Sequence, residues 1–463
     1  MNPKEFNKFI LFTSYGEGLS LAKHLLDEGK EVLVGMVDDL ETVGAKEPED
    51  SSAYRARWRQ YNGLLDKQKA ESLIEKMKNF KDKDEWFVLF DFNNLWQFAE
   101  EALKAGFSKG LFPSRLDYKL ESDRELAKKF VLKNYPDLKV AEVQEFKTAE
   151  EGVDFLKESE EFWALKGNDA GATTVVPSTH INEFATEELA NALMGNKESY
   201  ESKGFILERQ IRDGTEVCPQ LISYDGMPVA TCIDLEDKGF SDTEGSEKYG
   251  CSQNCVAATP MDCELNKIAF PEVVNKMAKK HKGLHFWDAN LICKDGEYYY
   301  LEFCANRMGF DSIFAECEMA GGVSNYFNAL SQAKVPYEAK YGAGVRGFSM
   351  KRDDQGAIQK DIPLLFDEEI KSHLWFYGVQ QKDGKLVNTG ASYGDNIAGI
   401  DLVGFTESSD DNEYAWHKLK EVIEKFSFNG LYIRSFNDYH ALDERLEKLE
   451  TVLEPSEVAE GEE

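Results

Sequence analysis

Long apolar runs are absent from this sequence: no stretch of about 18 apolar residues, the length that a membrane-spanning helix needs, occurs in the chain. The apolar stretch near the amino terminus is too short for a signal peptide. Cysteine is missing outside the segment from Cys218 to Cys317, and a chain of this size does not need disulfide bonds, so reduced thiols are expected. The spacing of Cys251, Cys255 and Cys263 lacks a fourth zinc ligand. We therefore expect a soluble, cytoplasmic protein.

Positive charge is also scarce, with 54 Lys and Arg residues against 85 Asp and Glu residues and a formal net charge of -31. At long range such a protein repels a nucleic-acid backbone or an anionic membrane. The partners that we expect are therefore small molecules, with no nucleic acid and no membrane. A phosphorylated substrate would need local basic residues and backbone N–H groups, because the overall field opposes its binding.

What the sequence does contain is enough apolar material for a large core, since 42% of its 463 residues are hydrophobic. Residues 9–37 have the pattern of a strand, a glycine turn, a helix and a second strand. Strands and helices continue to alternate, which indicates an α/β protein with a parallel sheet covered by helices. We predict an amino-terminal unit over 1–117, a central unit over 118–335, a carboxy-terminal unit over 336–445 and an acidic tail over 446–463.

Two local predictions concern helices. Residues 66–77 have helical spacing, which predicts one helix there. A second helix is predicted to begin near Ser122, with Glu125 three residues later as part of a capping box. Leu126, Phe130 and Val131 would form its apolar face.

The most informative local feature is a hairpin over residues 286–309, FWDANLICKDGEYYYLEFCANRMG. A three-residue loop over 294–296 would place Asp288 directly opposite Glu302. A two-residue Asp-Gly turn would instead pair Glu302 with Ala289 and turn the two carboxylates apart. Two adjacent carboxylates favour a hard divalent cation between them, and solvated acids at a strand edge are the alternative.

Other polar residues could take part in the same chemistry. Asn306 and Arg307 follow the hairpin, and Asn can add an oxygen ligand while Arg can bind a phosphate. Lys166 ends an apolar strand and precedes the small-residue loop GNDAGATT, whose N–H groups could reach a phosphate. Glu208 and Glu216 flank a turn, where carboxylates could accept hydrogen bonds from ribose hydroxyls. Each of these features alone is more often an ordinary turn or a surface acid.

The order of these features resembles that of ATP-grasp ligases, and most closely the glycinamide ribonucleotide synthetase (phosphoribosylamine-glycine ligase) family. The matching segments are SDRELAKKFV, EEFWALKGNDAG, GFILERQIRDGTEV and YYLEFCANRMG, and the similarity covers nearly the whole chain. The resemblance implies an ATP-grasp fold with a Rossmann-like amino-terminal domain and a small carboxy-terminal α/β domain. It also implies an ATP-dependent ligase that forms an amide through an acyl phosphate, as in purine biosynthesis, and acts as a monomer or homodimer.

The resemblance further implies roles for individual residues, which fall into three groups. They are nucleotide binding by Lys128, Lys166, Glu208 and Glu216; binding of Mg2+ (or Mn2+) by Asp288, Glu302 and Asn306; and catalysis by Arg307 and Lys166.

The sequence also departs from the family pattern. Cys304 stands where the family usually has Asn, a lysine is missing from GNDAGATT, and EKYGCSQNC replaces a glycine-rich substrate segment. These departures indicate a diverged relative that keeps the ATP chemistry, and they leave the identity of the acceptor open. The leading interpretation joins an amino acid such as glycine to a phosphosugar amine. Two alternatives stay open: a ligase for another amine such as a modified nucleotide, and a catalytically silent nucleotide-binding protein.

A phosphosugar amine would need cations at its site. The candidates are Arg55, Arg57 and Arg59, with Lys238 and Lys248 flanking the altered segment. The alternative for the arginines is a solvated basic patch on an acidic protein.

Overall fold

The computed structural model describes residues 5–44, 52–167, 175–177, 179–237, 251–349, 352, 359–390, 400–433 and 439–455. None of the described helices is both long enough and apolar enough to cross a bilayer. The helices are α1 (Leu19–Asp27), α2 (Ser52–Arg59), α3 (Ala70–Met77), α4 (Trp96–Lys104), α5 (Arg115–Ser122), α6 (Arg124–Asn134), α7 (Ala149–Glu158), α8 (Asn182–Gly195), α9 (Lys197–Lys203), α10 (Glu264–Ala269), α11 (Glu272–Ala278), α12 (Phe310–Met319), α13 (Val323–Ser331), α14 (Asn412–Glu424) and α15 (Tyr439–Leu453). The strands are β1 (Lys8–Thr13), β2 (Glu31–Met36), β3 (Lys67–Lys69), β4 (Trp86–Phe90), β5 (Leu138–Val140), β6 (Val143–Phe146), β7 (Trp163–Gly167), β8 (Phe205–Arg209), β9 (Thr215–Tyr224), β10 (Met227–Asp237), β11 (Gln253–Ala258), β12 (Leu284–Lys294), β13 (Glu297–Ala305), β14 (Tyr341–Ser349), β15 (Leu365–Phe366), β16 (Leu374–Phe376), β17 (Val379–Lys382), β18 (Lys385–Asn388), β19 (Ile400–Ser409), β20 (Phe426–Ser427) and β21 (Leu431–Ile433).

The amino-terminal part of the chain forms a four-stranded parallel sheet in the order β3-β2-β1-β4. Its central strand β1 is apolar because both faces of the sheet are covered, and Phe9 and Phe12 are completely buried. Phe12 stacks on Phe90 of β4 with ring centroids 4.9 Å apart. Burying each such ring stabilises the fold by roughly 1.5–3 kcal/mol. The predicted α/β class with a Rossmann-like amino-terminal sheet is confirmed.

One strand of this sheet lies in the segment that was predicted as a single helix. Residues 67–69 form β3, which pairs in parallel with β2, and only residues 70–77 are helical. The three-residue strand KQK has no apolar pattern that would reveal it. Pairing with a distant strand outweighs the local helical spacing, so the prediction of one helix over 66–77 was wrong at its start.

The helix predicted to begin near Ser122 also begins elsewhere. Ser122 ends α5, and its hydroxyl donates a hydrogen bond to the carbonyl of Tyr118 at 2.8 Å. Asp123 caps α6 instead, because its carboxylate accepts a hydrogen bond at 3.0 Å from the N–H three residues further on. The capping box lies one helix earlier, between Ser114 and Asp117.

A large sheet joins the central and carboxy-terminal parts of the chain. Its strand order is β16-β19-β14-β11-β10-β9-β12-β13-β5, with β21 beside β14. The β13–β5 pair is parallel, and the other neighbours in this order are antiparallel. Strands on both sides of the unit boundary predicted at 335 therefore share one hydrogen-bonded layer. The division into units remains a prediction.

A second, smaller layer is a three-stranded antiparallel sheet in the order β6-β8-β7. Helices α7 and α8 pack against it, with Leu156, Trp163, Leu165, Leu189 and Phe205 in the shared core. Among the described strands, no backbone pairing links this small sheet to the large one. The small sheet has its own core and therefore forms a separate lobe.

Two glycines allow the amino-terminal sheet to approach the large sheet closely. Gly110 has φ of +136°, and a Cβ atom there would lie 1.8 Å from the carbonyl oxygen of Val88. Gly283 has φ of +74°, and a Cβ atom there would lie 2.2 Å from the carbonyl oxygen of Gly110. The N–H of Leu284 donates to that same oxygen at 2.7 Å. Backbone contact without intervening side chains thus joins the two layers at this point.

The hairpin of β12 and β13 has the two-residue turn. Asp295 and Gly296 have φ values of 51° and 74°, as a type I′ turn requires. Lys294 and Glu297 pair directly across it. Of the two turns that the sequence left open, the structure therefore has the two-residue one, and Asp288 does not lie directly opposite Glu302.

A bulge further along the hairpin nevertheless keeps both carboxylates on one face. The register shifts after Asn290, so that Asp288 lies opposite Cys304 and Glu302 lies opposite Asn290. Directly opposed residues share a face of the sheet, and so do residues two apart on one strand. Asp288, Asn290, Glu302 and Cys304 therefore project from the same face.

Candidate active site

Two lysines and one glutamate converge where α6 meets the small sheet. Nζ of Lys128 lies 2.5 Å from Oε2 of Glu208, and Nζ of Lys166 lies 2.5 Å from its Oε1. The β7–β8 register pairs Glu208 with Ala164, two residues before Lys166, so Lys166 and Glu208 share a face. We call Lys128, Lys166 and Glu208 the lysine–glutamate group.

The charges within this group are largely shielded from water. The two lysine side chains are each 16% exposed and that of Glu208 is 8% exposed. Burial opposes ionisation of Glu208, but the charges of Lys166 and Lys128 outweigh it and lower the pKa of this carboxyl below its usual value. Burial lowers the pKa of Lys128. With both lysines charged, the group carries one net positive charge in a protein of formal charge -31, which suits it to a phosphate.

The neighbours of Glu208 in the structure differ from those that the sequence suggested. Both of its carboxylate oxygens bind lysines, so it holds the two cations in place. Glu216, the other predicted nucleotide residue, lies on β9 opposite Ile292 of β12. Because Ile292 and Asn290 are two apart, the register puts Glu216 on the same face as Asp288.

The carboxylate pair, Asp288 and Glu302, lies in an acidic part of the large sheet. Oδ1 of Asp288 is buried and has no hydrogen-bonding partner among the described residues. Burial and the negative charge of Glu236 raise the pKa of Asp288 well above its usual value, Arg307 opposes this, and Glu302 adds to it. Asn290 donates from Nδ2 to Oε1 of Glu302 at 3.3 Å, and its own Oδ1 is buried without a partner.

These residues fit a hard divalent cation. The face offers carboxylate and amide oxygens, which are the ligands that Mg2+ and Mn2+ prefer. An ion there would satisfy the unpartnered oxygens of Asp288 and Asn290, whose burial otherwise costs free energy. Sequence analysis missed Asn290, although its place two residues after Asp288 in a strand puts it on the same face.

Arg307 lies beside the carboxylate pair and is held by a group that the sequence did not reveal. Its Nη2 donates to Sγ of Cys304 at 3.1 Å, and its Nε lies 3.1 Å from Oε1 of Glu121. The guanidinium lies over the ring of Phe92, 5.0 Å from the centroid. Asn93 donates to the other oxygen of Glu121 at 2.6 Å. Glu121 is therefore a positioning residue for Arg307, brought there by tertiary packing alone.

The structure does not add Asn306 to the carboxylate pair. Asn306 is fully buried with φ of 52°. Its Oδ1 accepts a hydrogen bond from the N–H of Phe286 at 3.2 Å, and its Nδ2 donates to the carbonyl of Phe112 at 2.9 Å. The amide would have to leave both backbone partners to bind a cation. Cys304, opposite Asp288, has a buried thiol whose pKa is raised well above its usual range, so it is a poor ligand for Mg2+.

The arginines suggested for acceptor binding differ in their surroundings. Arg57 is buried and donates to the carbonyls of Ser14 at 3.1 Å, Val37 at 2.5 Å and Asp38 at 3.1 Å. These hydrogen bonds connect α2 to the amino-terminal sheet, and Arg57 is therefore not available to a substrate. Arg55 is exposed on the same helix, α2, and Arg59 is half-buried.

A cleft opens on the large sheet beyond the carboxylate pair. Asn254 of β11 donates to Oδ1 of Asp234 at 3.2 Å, which places it on the same face as that carboxylate. The guanidinium of Arg346 lies over the ring of Tyr377, 5.2 Å from the centroid. The lining residues are Cys251, Ser252, Gln253, Asn254, Phe314, Gly344, Val345, Arg346, Tyr377, Gly404, Phe405 and Thr406. Part of the altered segment EKYGCSQNC thus lines this cleft.

Several predicted features lie outside the described residues. They are residues 168–174 of the loop GNDAGATT, Lys238, Lys248, residues 247–250 of the altered segment, and residues 456–463 of the acidic tail.

Comparison with solved structures settles the fold. No model of a known protein family matches the sequence, and no curated protein matches it. The phosphoribosylamine–glycine ligase of Thermotoga maritima matches with a TM-score of 0.60 and 18% identity, over 92% of this chain and 99% of that one. The biotin carboxylase domain of Hydrogenobacter thermophilus 2-oxoglutarate carboxylase, in complex with MgADP and bicarbonate, matches with a TM-score of 0.58 and 12% identity, over 98% and 100%. The chain has the ATP-grasp fold.

A third ATP-grasp structure extends the comparison to another kind of ligase. The L-amino acid ligase of Bacillus licheniformis matches with a TM-score of 0.51 and 13% identity, over 92% of this chain and 99% of that one. The ATP-grasp fold predicted from the sequence is thereby confirmed. At these identities the likeness concerns the fold, and the substrates have to be argued from the residues of this chain.

Proposed function

We propose that this protein is an ATP-dependent ligase that activates a small carboxylate as an acyl phosphate and joins it to an amine. The observation that carries the proposal is the buried, unpartnered carboxylate oxygen of Asp288 on the same face as Glu302, with a lysine–glutamate group nearby. Burial together with the charges of Glu302 and Glu208, among others, raises the pKa of Tyr300. The carboxylate pair and the lysine–glutamate group therefore each have a member close enough to Tyr300 of β13 to affect its ionisation.

The residues of this chain divide the work of such a reaction. ATP, when bound, supplies the phosphoryl group that makes a carboxylate reactive toward an amine. Lys128 and Lys166 offer two fixed ammonium groups to its phosphates, and Glu208 holds them in position. Asp288 and Glu302 would hold Mg2+, which lowers the negative charge around the phosphates. Arg307 stabilises negative charge that develops next to the carboxylate pair, because Glu121 and Cys304 fix its orientation.

The cleft around Arg346 supports a place for the substrates. Arg346 projects from the same face of the large sheet as Asp288, with β9, β10 and β11 between their strands, and the cleft combines its guanidinium with the rings of Phe314 and Tyr377. A guanidinium over an aromatic ring suits a carboxylate or phosphate attached to a flat or apolar body. This composition favours an amino acid as one substrate, and it is compatible with either a phosphosugar amine or a modified nucleotide as the amine.

A screen of ADP release tests this proposal. The full-length protein is incubated with ATP, Mg2+ and each amino acid, with phosphoribosylamine or another amine as acceptor, and Asp288→Asn serves as the matched inactive control. Release that needs glycine and phosphoribosylamine supports the reaction of the resembling family. Release that needs a different amine supports the second acceptor class. ATP binding without ADP release for any pair would overturn the ligase proposal and favour a silent nucleotide-binding protein.

A further inference from the structure

A second group of potential ligands lies on the opposite face of β12 from Asp288. It consists of Asp117 in the first turn of α5, His281 after α11 and His285 in β12. His285 is an odd number of residues from Asp288 on one strand, so its side chain projects from the other face. The three side chains each offer a ligand atom, and these atoms all lie within 4.8 Å of one another. We call His281 and His285 the histidine pair, and Asp117 is the third member of the group.

Several polar atoms of this group are buried without a hydrogen-bonding partner among the described residues. His285 is 1% exposed, and within the part of the chain that the structure describes neither of its ring nitrogens has a hydrogen-bonding partner. Asp117 is 0% exposed; its Oδ2 accepts from the N–H of Ser114 at 2.7 Å, while its Oδ1 has no partner. Oγ of Ser223, directly opposite His285 on β9, is likewise buried and unpartnered. Several buried polar atoms on one face would cost much free energy if nothing bound them.

The arrangement around the imidazoles is fixed by neighbouring contacts. The rings of His281 and His285 lie with centroids 4.3 Å apart, and Nε2 of His281 lies 3.6 Å from Oδ2 of Asp117. Nδ2 of Asn306 lies 3.3 Å from the same oxygen and 3.4 Å from Nδ1 of His281. Burial, aided by His281, lowers the pKa of His285 well below its usual value.

We propose that Asp117, His281 and His285 form a binding site for one divalent transition-metal ion of the zinc type. Two imidazoles and one carboxylate are a ligand set for Zn2+ and its neighbours, whereas Mg2+ prefers oxygen alone. The site is therefore chemically distinct from the carboxylate pair. Its ligands come from both sides of the junction that Gly110 and Gly283 form, so a bound ion would cross-link α5 to the large sheet.

A second cluster of similar composition shows why the proposal concerns only the histidine pair. Glu318, His373 and Glu407 also bring three ligand atoms together. There, Nδ1 of His373 lies 3.0 Å from Oε1 of Glu318, and this hydrogen bond raises the pKa of the imidazole. An N–H of this imidazole is thus already bonded to a carboxylate without a metal, and the side chain is 25% exposed. His373 therefore provides a matched control.

The test is a Co2+ titration of the full-length, chelator-treated protein in excess Mg2+, followed by visible absorption and by metal content after desalting. We expect one equivalent of Co2+ with the absorption bands of a histidine-ligated ion. His281→Gln and Asp117→Asn should each weaken binding at least roughly tenfold. The asparagine keeps the oxygen that caps α5, and circular dichroism checks the fold of each variant. His373→Gln and Asp288→Asn should bind Co2+ as the parent protein does.

Two results would overturn the proposal. One is stoichiometric Co2+ binding that persists unchanged in both His281→Gln and Asp117→Asn, which would place the ion elsewhere. The other is a folded parent protein that retains no Co2+ or Zn2+ at one equivalent, which would leave the histidine pair bound to water only.

Discussion

The lysine–glutamate group and the carboxylate pair are both clusters of charged side chains, yet they differ in how their charges are balanced. Glu208 has a cation at each of its oxygens, at 2.5 Å. Asp288 has an oxygen with no partner among the described residues, and the negative charges of Glu236 and Glu302 raise the pKa of its carboxyl group. The first cluster is complete within the protein, and the second is complete only with a cation. Without a bound cation, Asp288 therefore lowers the stability of the fold, whereas Glu208 raises it.

The largest expected effect is that of Asp288→Asn on catalysis. We expect ADP release to fall by at least about 100-fold, because the variant loses a charged ligand of the proposed Mg2+ site. In chelator without nucleotide, the same variant should melt at a higher temperature than the parent protein, because a buried, unpaired carboxylate is removed. Steady-state kinetics and thermal denaturation measure the two effects. Full activity, or a lower melting temperature in chelator, would contradict the contrast drawn above.

The lysine–glutamate group should respond in the opposite way. Glu208→Gln leaves two buried lysines without their counter-charge, and we expect a loss of about 3 kcal/mol in the free energy of unfolding. Lys166→Met should cost much less, because Lys128 still pairs with Glu208, while ATP affinity should fall about tenfold. Urea denaturation and nucleotide titration distinguish the two variants. Equal destabilisation by both would show that Glu208 does not hold the lysines as the geometry indicates.

The pH dependence of stability should separate the two clusters further. The folded-state pKa of Asp288 is raised, so in chelator its ionisation destabilises the fold once the pH exceeds the unfolded value of about 4. The advantage of Asp288→Asn should therefore be absent below about pH 4 and grow as pH rises toward the raised pKa. The pKa of Glu208 is lowered, so its stabilisation is present above the unfolded value and is lost as pH falls through the folded one. Melting curves of the parent protein and of Asp288→Asn and Glu208→Gln from pH 3.5 to 8 check both signs.

The smallest expected effect concerns Cys304, which lies opposite Asp288. Cys304→Asn should lower the Mg2+ concentration needed for half-maximal activity by a few-fold, because an amide oxygen is a ligand for a hard cation and a neutral thiol is not. The new oxygen can also accept the hydrogen bond from Arg307. Cys304→Ala is the control and should not improve Mg2+ dependence. An unchanged requirement in Cys304→Asn would place the cation away from β13.

How much the sequence could predict depended on whether the information was local. The apolar strands and glycine turn of residues 9–37 encode their own structure, and the amino-terminal βαβ unit formed as predicted. In the hairpin, Asp295 and Gly296 are a recognised local signal for a two-residue turn, but the register shift after Asn290 has no local signature. The shared face of Asp288 and Glu302 therefore depends on a bulge that could not be foreseen.

The parts of the site that were missed depend on tertiary contacts. Glu121 reaches Arg307 only because α5 packs against β13, and nothing in its neighbouring residues indicates this. Asn306 follows the strand at a position suited to a ligand, yet its positive φ turns the amide toward the backbone of Phe286 and Phe112. Arg57 was grouped with the other arginines of α2 because of its charge, although its guanidinium donates hydrogen bonds to three backbone carbonyls.

The continuous large sheet has a consequence for the size of the substrates. Asp288 lies on β12 and Arg346 on β14, separated in the strand order by β9, β10 and β11. Four strand-to-strand steps of about 4.8 Å give roughly 19 Å across the strands, and the pairings bring Lys340, six residues before Arg346, level with Asp288, which adds roughly 20 Å along the strands. A molecule that touches both Arg346 and an ion on Asp288 would have to bridge both displacements, and glycine alone is too small to do so.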